Sequence, residues 1–106
     1  MTDNELLGFA AQSAGYAGYP IVEEGVLLQK SVNGLPPVFW NPLKHDHQAF
    51  RLMTLHEMTV SASRSAVTAA PEPSSTASVT VNIGDSRSAA TRRAITLCAA
   101  EIGRDQ

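Results

Sequence analysis

A single cysteine, Cys98, excludes an internal disulfide and suits a reducing compartment. Charge is also scarce. Asp, Glu, Lys and Arg supply 17% of the 106 residues, against about a quarter in an ordinary soluble domain. Ala, Ser and Thr fill the gap, so parts of the surface are expected to be weakly polar and open to contact. No apolar run approaches the length that spans a bilayer. Met1-Thr2-Asp3-Asn4-Glu5 lacks the basic start and apolar stretch of a signal peptide. A soluble, cytoplasmic chain with no membrane partner is expected. The net charge of −2 leaves no basic excess to neutralise phosphates, which disfavours general nucleic-acid binding.

What the chain does have is enough apolar mass, 43%, for one core. Residues 1–106 are expected to form a single domain. Through Glu57 there are six acids and three bases; from Met58 onward, four acids and five arginines. The second half is therefore slightly basic, which permits a local anion site.

Thr2-x-x-Glu5 is a capping-box pattern, and Leu6, Leu7, Ala10, Ala11 and Ala14 follow at helical spacing. Gly15 sits where a left-handed cap would close a helix over 3–14. Ile21-Val22 begins a short strand, Glu23-Glu24-Gly25 turns it, and residues 26–30 continue extended. Asn33-Gly34 is a hairpin signal, with Val38-Phe39-Trp40 as the return strand. Asp46 is the expected N-cap of a second helix over about 47–57, with Ala49, Leu52, Met53 and His56 inward. Phe50, about 100° to one side, is expected to pack as well. Residues 58–69 and 76–83 read as the two strands of a second hairpin, whose flexible tip lies near 70–76. Gly84-Asp85-Ser86 leads into a last helix, about 87–102, with Thr91, Ala94, Ile95, Cys98 and Ile102 buried and Gly103 as its stop. The order is αββαββα. An α+β fold follows, with an antiparallel four-stranded sheet from two hairpins covered by helices.

None of the reactive patterns is complete. His45-Asp46-His47 with His56-Glu57 is the only group resembling a metal site. His47 and His56 differ by about 180° around a helix, however, and His45 with His47 lacks a third ligand. No metal or cofactor is expected. Cys98 falls on the buried stripe and reads as a small core hydrophobe rather than a nucleophile. The serines form no Gly-x-Ser-x-Gly elbow, and the carboxylates are scattered. Ser86, Arg87 and Ser88 at a helix start form a candidate anion site, beside the plainer reading of a Ser or Asp N-cap. The Arg92-Arg93 pair reads either as a solvated face or as a grip on a partner's acidic groups.

Trp40-Asn41-Pro42-Leu43, followed by Asp46, Ala49, Arg51 and Leu52, is one of two separated signatures. The other is Ala90-Thr91-Arg92-Arg93-Ala94-Ile95, closing with Ala99-Ala100-Glu101-Ile102-Gly103-Arg104. Together they resemble the phage ABA-sandwich domain family, small bacteriophage and prophage proteins. The resemblance runs from Glu5 to Arg104 and implies a compact α/β arrangement and a phage origin, without implying a reaction. There are three departures, one being segment 71–75, which is peculiar to this chain. Lys44-His45-Asp46-His47 replaces an acidic or glycine-rich turn, and His56-Glu57 stands where relatives often carry Leu-Gly. Asn41-Pro42 is expected to fix the strand's exit angle, with Trp40 covering the junction between sheet and helix.

With no reactive constellation and a phage context, a non-enzymatic accessory protein is expected. It would bind and inhibit a host protein in the bacterial cytoplasm, plausibly an immune system, as an anti-CRISPR protein does. Tyr16, Tyr19, Trp40, Arg92 and Arg93 are its candidate contacts, since aromatics and arginine often carry interface energy. The alternatives are a sponge for a nucleotide immune signal, motivated by the last helix start, and a phage structural or assembly factor. Exposed hairpin edges make a homodimer plausible.

Overall fold

The computed structural model describes residues 2–15, 21–22, 25–28, 38–71 and 78–104. Among the described residues three helices, α1 (Asp3–Ser13), α2 (Asp46–Leu55) and α3 (Arg87–Arg104), alternate with six strands. The strands are β1 (Ile21–Val22), β2 (Gly25–Leu28), β3 (Val38–Trp40), β4 (Met58–Ala62), β5 (Ala66–Pro71) and β6 (Val79–Asn82). The order is αβββαβββα.

The α+β class stands, but the four-stranded sheet does not. There are two separate three-stranded antiparallel sheets, β1-β2-β3 and β4-β5-β6. Two features account for the difference. Ile21-Val22 doubles back to pair with Val26 and Gly25 as a strand of its own. The run 58–69 is not one strand but two, broken at Ser63. Its amide donates to the Ala66 carbonyl at 2.8 Å, and its hydroxyl accepts from the Ala66 amide at 3.1 Å. A serine hydroxyl thus closes a turn that carries no Gly, Pro or Asn. Among the described residues Pro71 pairs only with Met58, beyond the last β6 partner at Ala69, so its missing amide costs no described ladder bond.

Local signals hold at the first helix. The Thr2 hydroxyl accepts from the Glu5 amide at 3.1 Å, and the Glu5 carboxylate accepts from the Thr2 amide at 3.2 Å. That backbone hydrogen bond, with a second from the Thr2 hydroxyl, holds the Glu5 carboxyl below the usual range. Gly15 takes φ +88°, the left-handed cap. The second helix starts one residue earlier than expected. His45 is its cap and makes no side-chain cap bond, while Asp46 lies in the first turn. The helix stops at Leu55, and Glu57 turns the chain with φ +51°. A non-glycine residue is costly there. This is the helix end that lacks its glycine.

α3 is the centre of the molecule. It packs on α1, on α2 and on all three strands of the second sheet. Burial therefore spreads beyond one stripe, to Ala90, Ala94, Ile95, Thr96, Cys98, Ala99, Ala100 and Gly103, while Thr91 and Ile102 are only half-buried. Thr96, which is not among the five residues expected on the stripe, is fully buried, and its hydroxyl donates to the Arg92 carbonyl at 2.7 Å. Gly103 does not stop the helix. It lies inside α3, where the backbone of α1 passes so close that a Cβ would strike the Phe9 carbonyl oxygen. Arg93 meets Asp3 near the start of α1, and Gly103 meets Phe9 and Ser13 further on, so the two helices run in the same direction.

The second sheet shows α3 one face, with Val67 and Ala69 buried and Val60, Val79 and Val81 half-buried against the core. On its other face, Thr59, Ser61 and Thr80 are exposed. Of the tip expected near 70–76, Ala70 and Pro71 are the end of β5 instead, and the rest lies outside the described residues, as do the Asn33-Gly34 turn, Tyr16 and Tyr19.

Candidate functional site

The connection from β3 to α2 is built by Trp40-Asn41-Pro42-Leu43. Asn41 is buried; its side-chain oxygen accepts from the Leu43 amide at 3.1 Å, and its carbonyl accepts from the Lys44 and His45 amides at 3.0 Å. The Gln48 side chain accepts from the Asn41 amide. Asn41 thus supplies the acceptors for the three backbone amides that follow Pro42. Trp40 is 8% exposed and belongs to the core cluster. Its ring is therefore part of the core and not an exposed contact surface.

The two arginines are engaged within the chain. The Arg92 guanidinium donates to the Leu43 carbonyl at 2.9 Å and to the Asp46 carboxylate at 2.7 Å. Arg93 reaches Asp3 at 3.1 Å. Both fasten α3 to the starts of the other two helices across sequence separations of 46 and 90 residues. Each ion pair has an exposed carboxylate, so its Coulomb contribution is small. The Leu43 carbonyl bond is half-buried and carries more.

At the start of α3 the plain reading prevails for Ser86. Its hydroxyl accepts from the Ala89 amide at 3.1 Å, and its carbonyl accepts from the Ala90 amide. One of the amides that would draw an anion is thereby already satisfied. Arg87 and Ser88 are exposed and face a different feature: a groove of about 470 Å³ between α2 and the first half of α3. Ala49, Phe50 and Met53 line it from α2, with Thr91 and Ile95 from α3; Arg87 and Ser88 stand at one end, and the Asp46–Arg92 pair forms part of the wall. Phe50 is 59% exposed, which corrects the expectation that it packs inward. Among the described residues, no ion pair engages the Arg87 guanidinium. An exposed aromatic beside half-buried Met53, with a free cation nearby, suits binding of an apolar segment carrying negative charge. Helical periodicity put Phe50 near the boundary of the buried face. Only the placement of α3 decides that, among the described residues, nothing covers it.

The remaining reactive candidates resolve into structure. His45 and His47 bring their rings to 5.9 Å, and among the described residues no three potential ligands cluster as a metal site. His56 Nε2 lies 3.0 Å from the Ser13 hydroxyl, and that hydroxyl lies 2.6 Å from the Ala10 carbonyl. A carbonyl only accepts, so the single hydroxyl proton goes to Ala10 and His56 must donate. The imidazole therefore does not withdraw a proton from Ser13, and the pair is a tie between α2 and α1 rather than an activated nucleophile. Burial pushes the Cys98 thiol up to about 11, with Glu101 adding to the effect, so it is protonated at neutral pH.

Burial lowers the His56 pKa from its ordinary 6.5. The unfolded chain then takes the proton first as pH falls. The stability this neutral imidazole contributes is whole above about 6.5 and is lost as pH drops through the folded pKa. A falling urea midpoint between pH 7 and pH 5 is expected, with a shallower fall in His56→Gln. Equal slopes in the two proteins would remove His56 from the account.

No protein-family model, curated protein or solved structure matches this chain.

Proposed function

We propose that this chain is a binding protein without a reaction of its own, holding an apolar, acid-bearing segment of a partner protein in the α2–α3 groove. The observation that carries this reading is the exposed Phe50 ring beside Met53 and Ile95, with Arg87 at the end of the groove. Phe50 supplies the apolar anchor, and Arg87 supplies charge complementarity. The resemblance of residues 40–43 and 90–104 to phage proteins motivates a host protein as the partner and its inhibition as the outcome. Host immune systems, CRISPR effectors among them, are the class of target that this reading favours.

The test uses Phe50→Asp and Arg87→Glu against wild type. Both side chains are exposed, so both variants are expected to keep the wild-type unfolding midpoint. A protein captured from host extract by the wild type is purified and titrated. Loss of an aromatic anchor of at least about 2 kcal/mol weakens binding roughly thirty-fold. An unchanged Kd for Phe50→Asp moves the contact off the groove and overturns the reading.

A further inference from the structure

The β6 edge of the second sheet has the pattern of a strand made to pair with itself. The Ile83 amide donates to the Ser65 carbonyl at 2.8 Å, one step beyond the Asn82–Ala66 pair. Antiparallel ladders alternate, so Val81–Val67 and Val79–Ala69 are hydrogen-bonded pairs, and Thr80–Thr68 and Asn82–Ala66 are not. The Thr68 and Thr80 hydroxyls, 3.0 Å apart, agree with this, because side chains approach most closely in the non-hydrogen-bonded pairs. The amide and carbonyl groups of Thr80 and Asn82 therefore point away from β5, along an outermost strand. No described residue meets them.

Edge strands are usually protected by lysine, proline, a bulge or a covering element. Residues 78–84, Ser-Val-Thr-Val-Asn-Ile-Gly, contain neither charge nor proline. On the face toward α3, Val79, Val81 and Ile83 are only half-buried although they pack against the core, so an apolar row runs out to the edge.

We propose that β6 pairs antiparallel with β6 of a second copy of this chain, about a two-fold axis at Val81, to give one six-stranded sheet. The register is fixed by which groups are free. Thr80 exchanges both backbone hydrogen bonds with the partner's Asn82, and Asn82 does so with the partner's Thr80. Val81 then faces the partner's Val81, and Val79 faces the partner's Ile83. All three half-buried apolar residues meet apolar residues, and no charge is placed opposite a like charge. The segment is self-complementary in this register, as a two-fold interface requires.

Light scattering of the wild type at a few hundred micromolar is expected to give twice the 11.3 kDa chain mass. Thr80→Pro removes an amide that β5 does not use, so the folded chain should persist as a monomer. In Val81→Cys, mild oxidation should join two copies through residue 81, since a non-hydrogen-bonded pair brings Cβ atoms close to disulfide distance. Ser61→Cys, on the exposed face, should not cross-link. A monomeric wild type at that concentration overturns the proposal. So does a folded Thr80→Pro that stays dimeric. If Thr80→Pro fails to fold, the Val81→Cys result decides: no cross-link in a dimeric protein also overturns it.

Discussion

Gly103→Ala is expected to lower the unfolding temperature by roughly 10 °C, a loss of about 2 kcal/mol. The sign is the informative part. In an exposed helix the same change would stabilise by up to about 1 kcal/mol, because alanine is the better helix former. Here the added methyl would fall on the Phe9 carbonyl oxygen and come within 2.9 Å of its carbon and 3.0 Å of the Ser13 amide. Backbone atoms cannot rotate out of the way as a side chain would. α1 must shift bodily, and its Leu6, Leu7, Ala10 and Ala11 lose their fit in the core. Gly84→Ala is the control: nothing lies within 4 Å of its added methyl, and little change is expected. Thermal melts that show Gly103→Ala equal to or above wild type would mean that the two helices do not approach this closely.

Trp40→Ala is expected to cost about 3–5 kcal/mol, a large share of the 5–15 kcal/mol that holds a typical domain together. The ring is almost wholly buried, and it immediately precedes the Asn41-Pro42 turn that launches α2. Removing it leaves a cavity in the core. The urea midpoint measures this directly. The result also separates two roles for the residue, because a surface anchor would lose a partner and leave the midpoint where it was. An unshifted midpoint would return Trp40 to the surface.

Local chemistry was legible in the sequence where it acts between near neighbours. Thr2 and Glu5 cap the first helix, Gly15 takes the left-handed turn, and Asn41-Pro42 shapes the entry to α2 as their residue types foretell. What escaped depends on contacts distant along the chain, or on turns with weak signatures. Ser63 closes a hairpin with a hydroxyl, where the eye looks for glycine, and so one apparent strand is two. Asp46 looked like a cap because it is an aspartate before a helix, yet its carboxylate goes to Arg92. A single amphipathic stripe was the wrong template for α3, which is covered on several sides; Thr96 and Gly103 were misplaced for that reason. Phe50 is the reverse case. It sits on a helix with an apolar face, yet it stands exposed at the groove that α3 also lines. Arg92 and Arg93 read as surface charge because nothing in their neighbourhood announces Leu43, Asp46 or Asp3.

The central position of α3 has a kinetic consequence. It follows both sheets in the chain, yet it supplies the surface on which α1, α2 and the second sheet all pack. The Arg93–Asp3 contact closes a span of 90 residues. Loop-closure entropy must be met before such distant contacts stabilise anything, which slows the search for the native arrangement. The first helix, carrying its own capping box, therefore emerges during synthesis with its apolar face bare, and it waits for its main neighbour until nearly all of the described chain has been made.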